Sequence, residues 1–250
     1  MTTSGKRGST AIVTGAGRGF GRAIAAALHA SGAEVVAVAR NTQELATLRN
    51  ELGDGLTTAA ADAADAVVAG TLIDEHEPDV LVLNAGAAPL LRPLQHHTWE
   101  SFQRNWHVDV RHAFHWVREA LLLPLRPGST VITMSSGAAL AGSPLSGGYA
   151  GAKATIRFIT DYAANEAERA GLDIRFISVL PRLTPVTGLG SAAVAAYAAR
   201  DHLDVDAYLE RFGPVLSVDQ VGKAALELVN SPEHKSGSYL LTAAGLTPVG

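Results

Sequence analysis

Short aliphatic and β-branched runs alternate with longer helical stretches along nearly the whole chain, and this alternation restricts the fold more than any other feature. Segments 10–14, 34–39, 56–61, 79–83, 129–135, 173–179 and 238–242 predict strands. Several are apolar throughout, as parallel strands covered on both faces are. Helical patterns fall between them near 20–31, 42–52, 64–76, 98–123, 148–170 and 217–230. The alternation predicts an α/β protein: a doubly wound parallel sheet of seven strands with helices on both faces.

The 250-residue length suits one large α/β domain or two small ones. No linker rich in Pro, Gly or Ser divides the chain, so residues 1–250 are expected to form a single domain. Residues 183–212 break the alternation and read as a helical insertion or lid. In 98–123, Trp99, Phe102, Trp106, Ala113, Val117 and Ala120 recur at helical intervals, which predicts one apolar stripe on a long helix closed by Pro124.

Composition excludes several classes. The net charge of −4, with no basic or acidic block, gives no electrostatic case for nucleic acid or an anionic membrane as partner. The chain has no cysteine, which excludes disulfides and thiolate zinc sites and fits a cytoplasmic protein. Residues 1–10 are polar and do not read as a signal peptide, and no apolar run is long enough for a membrane span. His96, His97, His107, His112 and His115 cluster without a carboxylate set at ligand spacing, so no metal site is expected and they read as interface or surface histidines. Trp99, Trp106 and Trp116 read as core or subunit interface.

The first predicted strand runs into Gly15-Ala16-Gly17-Arg18-Gly19-Phe20-Gly21 and then into a helix. Glycine permits a tight turn and close approach of backbone N–H groups to a pyrophosphate, and the helix N-terminus behind it adds partial positive charge. At this position the cluster points to a bound dinucleotide. The second strand ends at Arg40 with no acid, where a 2′-hydroxyl would call for one. Arg18 lies in the glycine turn, and two guanidiniums suit a 2′-phosphate, hence NADP.

Tyr149 and Lys153 fall four residues apart at the start of a predicted helix and share a face. Ser136 follows the fifth strand, at the carboxyl edge where open α/β sheets bind ligands. A phenol ionises near ~10 and needs a shift of roughly two to three units to exchange a proton near neutrality. A neighbouring ammonium and the positive ring of an oxidised nicotinamide both act in that direction. A serine-hydrolase reading fails for want of a Gly-x-Ser-x-Gly elbow around Ser136.

With these residues in view, the chain resembles the shorter type of short-chain dehydrogenase/reductase over nearly its whole length, on a Rossmann-type fold. Residues 14–21 match that family's Thr-Gly-x-x-x-Gly-x-Gly, and Tyr149 to Lys153 match its Tyr-x-x-x-Lys. Asn84-Ala85-Gly86 matches most of Asn-Asn-Ala-Gly, with Leu83 in place of the first Asn. Ser136 precedes Tyr149 by thirteen residues, the family interval, so it is preferred to Ser135 as catalytic serine. Asp62 matches an acid that touches adenine. The resemblance implies hydride transfer between a nicotinamide cofactor and a carbonyl or alcohol, and a homodimer or homotetramer built on the two long helices.

Three positions depart from the pattern. The Asn that supports the family's proton relay is matched by Asp109, which is therefore expected to tune the relay and act near Lys153, and Asn105 is a weaker candidate on the same helix. Pro-Gly after the sixth strand is Pro181-Arg182, with Thr184 expected to offer its hydroxyl to the nicotinamide amide. The Gly-Gly near the C-terminus is Ala244-Gly245. Asp109 and Arg182 favour a rival reading, a catalytically impaired NADP(H)-binding regulator or scaffold, whereas the intact Ser136, Tyr149 and Lys153 favour an enzyme. The substrate pocket is expected from 137–148 and 183–212, with Leu140, Leu145, Leu183, Val186, Leu189, Val194 and Tyr197 making it apolar.

Overall fold

The computed structural model describes residues 8–211 and 213–250. Most of the polar start of the chain, and Phe212 at the end of the expected lid, lie outside the described residues. Strands β1 (Thr10–Thr14), β2 (Glu34–Ala39), β3 (Leu56–Ala60), β4 (Val80–Leu83), β5 (Thr130–Met134), β6 (Arg175–Pro181), β7 (Gly237–Thr242) and β8 (Gly245–Val249) form one sheet in the order 3-2-1-4-5-6-7-8. The first seven are parallel, and β8 pairs antiparallel with β7.

The strand β8 is the one the sequence pattern did not signal. Its Pro248 cannot donate to a ladder, which argues against a strand unless that strand lies at an edge. It does lie there, joined to β7 by a two-residue connection between the paired Thr242 and Gly245. The sheet therefore has eight strands, one more than expected.

The helices are α1 (Gly19–Ala30), α2 (Thr42–Leu52), α3 (Ala66–His76), α4 (Trp99–Asn105), α5 (Arg111–Leu122), α6 (Ala138–Ala141), α7 (Gly147–Ala170), α8 (Gly188–Arg200), α9 (Val205–Glu210) and α10 (Val218–Asn230). The expected insertion between β6 and α10 is thus α8 and α9, with a small apolar cluster of its own at Val194, Ala198 and Tyr208.

Strand periodicity explains the layering. Side chains of a strand alternate between faces. Ala11, Val13, Val35, Ala37, Val80 and Val82 enter one core with Ile24 and Leu28 of α1 and Val221 and Leu228 of α10. Their neighbours Ile12, Val36, Val38, Leu81 and Leu83 enter the other, with Ile73 of α3, Trp116 of α5 and Ala163 of α7. Both faces are covered, so the strands need apolar residues at every position. Trp116 is fully buried and its indole N–H donates to the Ala63 carbonyl at 2.8 Å.

The long helix departs from the single stripe. A π-helical turn, Trp106–Val110, separates α4 from α5. One extra residue in a turn rotates everything beyond it by about 100°. Ala113, Val117 and Ala120 are buried, whereas Trp99 is 72% and Trp106 40% exposed. The same turn points Asp109 inward, where it is fully buried.

Candidate active site

The chain leaves β1 toward β2 on one side and crosses to β4 on the other, so a crevice opens where β1 and β4 end. Gly15 sits there at φ +67°, and a Cβ on it would lie 2.8 Å from Asn84 Nδ2. A Cβ on Gly21 would lie 2.2 Å from the Gly15 carbonyl oxygen. The glycines thus bring the α1 N-terminus against the β1 and β4 ends with no space for a side chain. Asn84 Nδ2 donates to the Thr14 and Gly15 carbonyls at 3.2 and 3.3 Å, tying the two strand ends together.

Beneath this turn lies a feature the motifs did not announce. The Thr14 hydroxyl accepts from the amides of Asn84 at 2.9 Å and Ala85 at 3.2 Å. Both lone pairs are then engaged, and its one proton has two acceptors in reach, the Val82 carbonyl at 3.2 Å and His112 Nε2 at 3.1 Å. His112 is buried and neutral there, its pKa pushed down to about 3, first by burial and then by the charge of Lys153. The expectation of a surface or interface histidine fails for His112. It is a buried partner of Thr14 under the cleft, three residues beyond Asp109, in a phase that the π-turn conceals from a simple helical count. Among the described residues no group of three potential ligands could hold a metal.

The catalytic candidates Ser136, Tyr149, Lys153 and Asp109 and every cofactor candidate except Gly21 line one cleft of about 1480 Å³, and His112 lines it too. Asp62, at the end of β3, accepts from the Ala64 amide at 3.0 Å. Arg18 is 87% exposed by its side chain and sits 4.0 Å from Glu44. Glu44, at the start of α2, was not a candidate; its Oε2 lies 2.4 Å from where a Cβ on Gly17 would stand, so this carboxylate abuts the glycine turn between the two arginines' elements. An Asn three residues before a Glu at a helix start was the signal available: Asn41 caps α2 by accepting from the Gln43 and Glu44 amides.

The opposite half of the cleft carries the Ser, Tyr and Lys set. The Ser135 hydroxyl is buried and donates to the Lys153 carbonyl at 2.8 Å. That of Ser136 is half-buried, accepting from the Ala138 amide at 3.2 Å with its proton left for the cleft. Lys153 Nζ donates to the Met134 carbonyl at 3.0 Å and lies 3.3 Å from Asp109 Oδ2. It stands 5.6 Å from the Tyr149 ring centroid. Burial by itself would push Lys153 down, but the Asp109 carboxylate, followed by Tyr149, holds its ammonium above the usual lysine range.

Asp109 also reaches the loop after β4, where its Oδ1 accepts from the Ala87 amide at 2.8 Å. Asn105 Nδ2 donates to the Ala87 carbonyl at 2.8 Å. Asn105 therefore clamps the loop from α4 and does not face Lys153, contrary to its candidacy for the relay. Thr184 is buried and donates its hydroxyl proton to the Leu216 carbonyl at 2.6 Å. It can therefore offer the cleft only lone pairs, to a ligand N–H. Leu145 and Val194 are buried away from the cleft, while Leu140, Val186 and Leu189 line it with substantial exposure.

The family model described as short chain dehydrogenase matches residues 9–198. L-xylulose reductase of Bos taurus is 31% identical over 189 residues, covering 74% of this chain and 75% of that one. Carbonyl reductase (NADPH) 2 of Sus scrofa is 29% identical over 248 residues, 98% of each chain. The crystal structure of 3-ketoacyl-(acyl-carrier-protein) reductase from Brucella melitensis, complexed with NADH, superposes with a TM-score of 0.76 at 25% identity over 93% of this chain and 95% of that one. An NAD+-bound xylitol dehydrogenase structure shares the fold, with a TM-score of 0.82 at 18% identity over 94% and 98% of the two chains.

Proposed function

The chain belongs to the short-chain dehydrogenase family, and on that premise we propose that it is an NADP(H)-dependent oxidoreductase acting between a carbonyl and an alcohol, with Tyr149 as general acid/base. The observation that carries this reading is the shared cleft. Tyr149, Ser136 and a charged, buried Lys153 line the same cavity as the glycine turn.

The cavity suits a dinucleotide. The turn through Gly15, Gly17, Arg18, Gly19, Phe20 and Gly21 offers backbone N–H groups and a helix N-terminus to a pyrophosphate. Asp62 is positioned for an adenine, Asn84, Ala85 and Gly86 form the floor, and Pro181 and Thr184 stand at the nicotinamide end. Arg18 and Arg40 supply charge for a 2′-phosphate, which the NADPH-named relative from Sus scrofa also favours. The bound nicotinamide supplies or accepts the hydride.

In the reducing direction the Ser136 hydroxyl donates to the substrate carbonyl oxygen and orients it. The Tyr149 phenol delivers a proton to that oxygen as it becomes an alcohol. The Lys153 ammonium donates to the Met134 carbonyl and pairs by charge with Asp109. Lys153 lines the cleft, where its charge favours the phenolate left behind. In the oxidising direction the proton returns along the same path. Asp109 acts by keeping Lys153 charged and by fixing the loop through Ala87.

Residues 1–250 are proposed to work as one domain, with the two helices α8 and α9 as its substrate lid. A homodimer or homotetramer is proposed on the long helices, where Trp106, Phe114, Phe158 and Tyr162 leave apolar surface exposed. Among the described residues no helix is long and apolar enough to cross a membrane. The deciding measurement is NADPH oxidation, followed by absorbance, against ketones, aldehydes and quinones. Tight NADPH binding with no turnover on any of them would favour the binding-protein reading instead.

A further inference from the structure

Three hydroxyls meet beside the catalytic helix. Ser143 Oγ lies 2.6 Å from Ser146 Oγ and bonds the Tyr197 hydroxyl, and Ser146 Oγ lies 3.3 Å from the same Tyr197 hydroxyl. The Ser146 amide donates to Ser143 Oγ at 2.9 Å. Ser146 stands three residues before Tyr149, where its carbonyl accepts from the Ala150 amide as α7 begins. Tyr197 comes from α8. Ser146 and Tyr197 line the cleft.

The hydrogen-bond inventory defines what fits. Each hydroxyl has one proton and two lone pairs. A closed ring of three uses every proton, and the Ser146 amide takes the second lone pair of Ser143. One lone pair then remains on Ser146 and one on Tyr197. An alkyl group placed here would strip water from both without replacing it. A carboxylate or phosphate brings acceptors to acceptors. A hydroxyl donates to either, and accepts in return if the ring opens.

We propose that Ser143, Ser146 and Tyr197 form a recognition site for a substrate hydroxyl near the reacting carbon, which makes neutral hydroxylated carbonyl compounds the substrate class. This adds a polar corner to the apolar pocket expected from the sequence, and it rests on the oxidoreductase reading above. Leu140, Val186 and Leu189 still provide apolar walls.

The test is equilibrium binding to the protein saturated with NADPH, using a pentitol and pentan-1-ol as probes. Neither probe accepts a hydride, so occupancy is read without turnover. The parent is expected to bind the pentitol at least about fivefold more tightly than the alkanol. Tyr197→Phe keeps the ring that stacks on Tyr208, and both it and Ser146→Ala are expected to weaken the pentitol about fivefold while leaving the alkanol unchanged. Equal affinity of the parent for both probes overturns the proposal. So does a loss that is the same for both probes in the variants, which would mark a packing role. A nucleotide titration that precedes each measurement separates this from the premise: a parent that binds neither NADPH nor NADH overturns the oxidoreductase reading and this site together.

Discussion

Asp109 and Lys153 form a buried ion pair, Oδ2 to Nζ 3.3 Å, and the second carboxylate oxygen accepts from the Ala87 amide at 2.8 Å. Both oxygens of Asp109 thus face donors. An Asn here would turn its NH2 toward either an ammonium or an N–H. We expect Asp109→Asn to lower turnover and to move the alkaline limb of the pH–rate profile to lower pH, since the carboxylate that holds Lys153 charged is gone. Asp109→Ala leaves the ammonium buried and unpaired, at a cost of about 3–5 kcal/mol in unfolding free energy. The pair's stabilisation is complete below the ordinary lysine pKa and is lost only as pH rises through the raised value, so neutral pH shows the whole effect. Profiles that superimpose on the parent's would place Asp109 outside the relay.

Tyr149→Phe tests the acid/base assignment. The phenol is the sole proton donor proposed, and its ring remains to wall the cleft. We expect turnover to fall by about 10³-fold with the NADPH dissociation constant nearly unchanged. Activity within a few-fold of the parent would show that another group carries the proton.

The fold was legible because its strands are buried on both faces and its helices follow them regularly. The cleft was legible because glycines, an Arg at a strand end and a Tyr-Lys pair one turn apart each carry a local physical requirement. What escaped depended on distant partners. β8 was masked by Pro248, harmless only at the edge its partner β7 creates. His112 looked like one histidine among several, because its role depends on Thr14, ninety-eight residues earlier. Asn105 stood as a weaker candidate on the face of Asp109 until the π-turn that holds Asp109 turned the first toward Ala87 alone and the second toward Lys153 as well. Tyr197 counted as apolar until Ser143 and Ser146 met its hydroxyl.

Cofactor preference is expected to answer to two residues in opposite directions. Arg40→Asp removes a phosphate partner and adds repulsion, and should reverse a preference for NADPH, with about tenfold or more lost per charge-assisted bond. Glu44→Gln removes the carboxylate that stands 4.0 Å from Arg18. Arg18 is largely exposed and Glu44 half-buried, so screening limits the gain, and NADPH should bind about two- to fivefold more tightly with NADH unaffected. Fluorescence titration of both nucleotides against parent and variants checks this. Equal dissociation constants for NADPH and NADH in the parent would remove the basis for both variants.

His112 predicts how the fold responds to acid. In the unfolded chain an imidazole takes up a proton near its ordinary value of 6.5, whereas in the folded protein His112 resists protonation down to about 3. Between those values the unfolded state binds more protons, so stability falls as pH falls through that window, by at most about 1.4 kcal/mol per pH unit from this one group. His112→Gln keeps an acceptor for the Thr14 hydroxyl but cannot titrate. At pH 7 it should be less stable than the parent, by about 1–3 kcal/mol for the imperfect replacement of a buried hydrogen-bonded side chain. Below pH 6.5 the gap should narrow, because only the parent still loses stability from this position. Urea midpoints for both proteins at several pH values between 7 and 4 measure the difference and cancel the other histidines. Parallel curves would mean that His112 takes up its proton in the folded protein as readily as in the unfolded chain, and that burial does not keep it neutral.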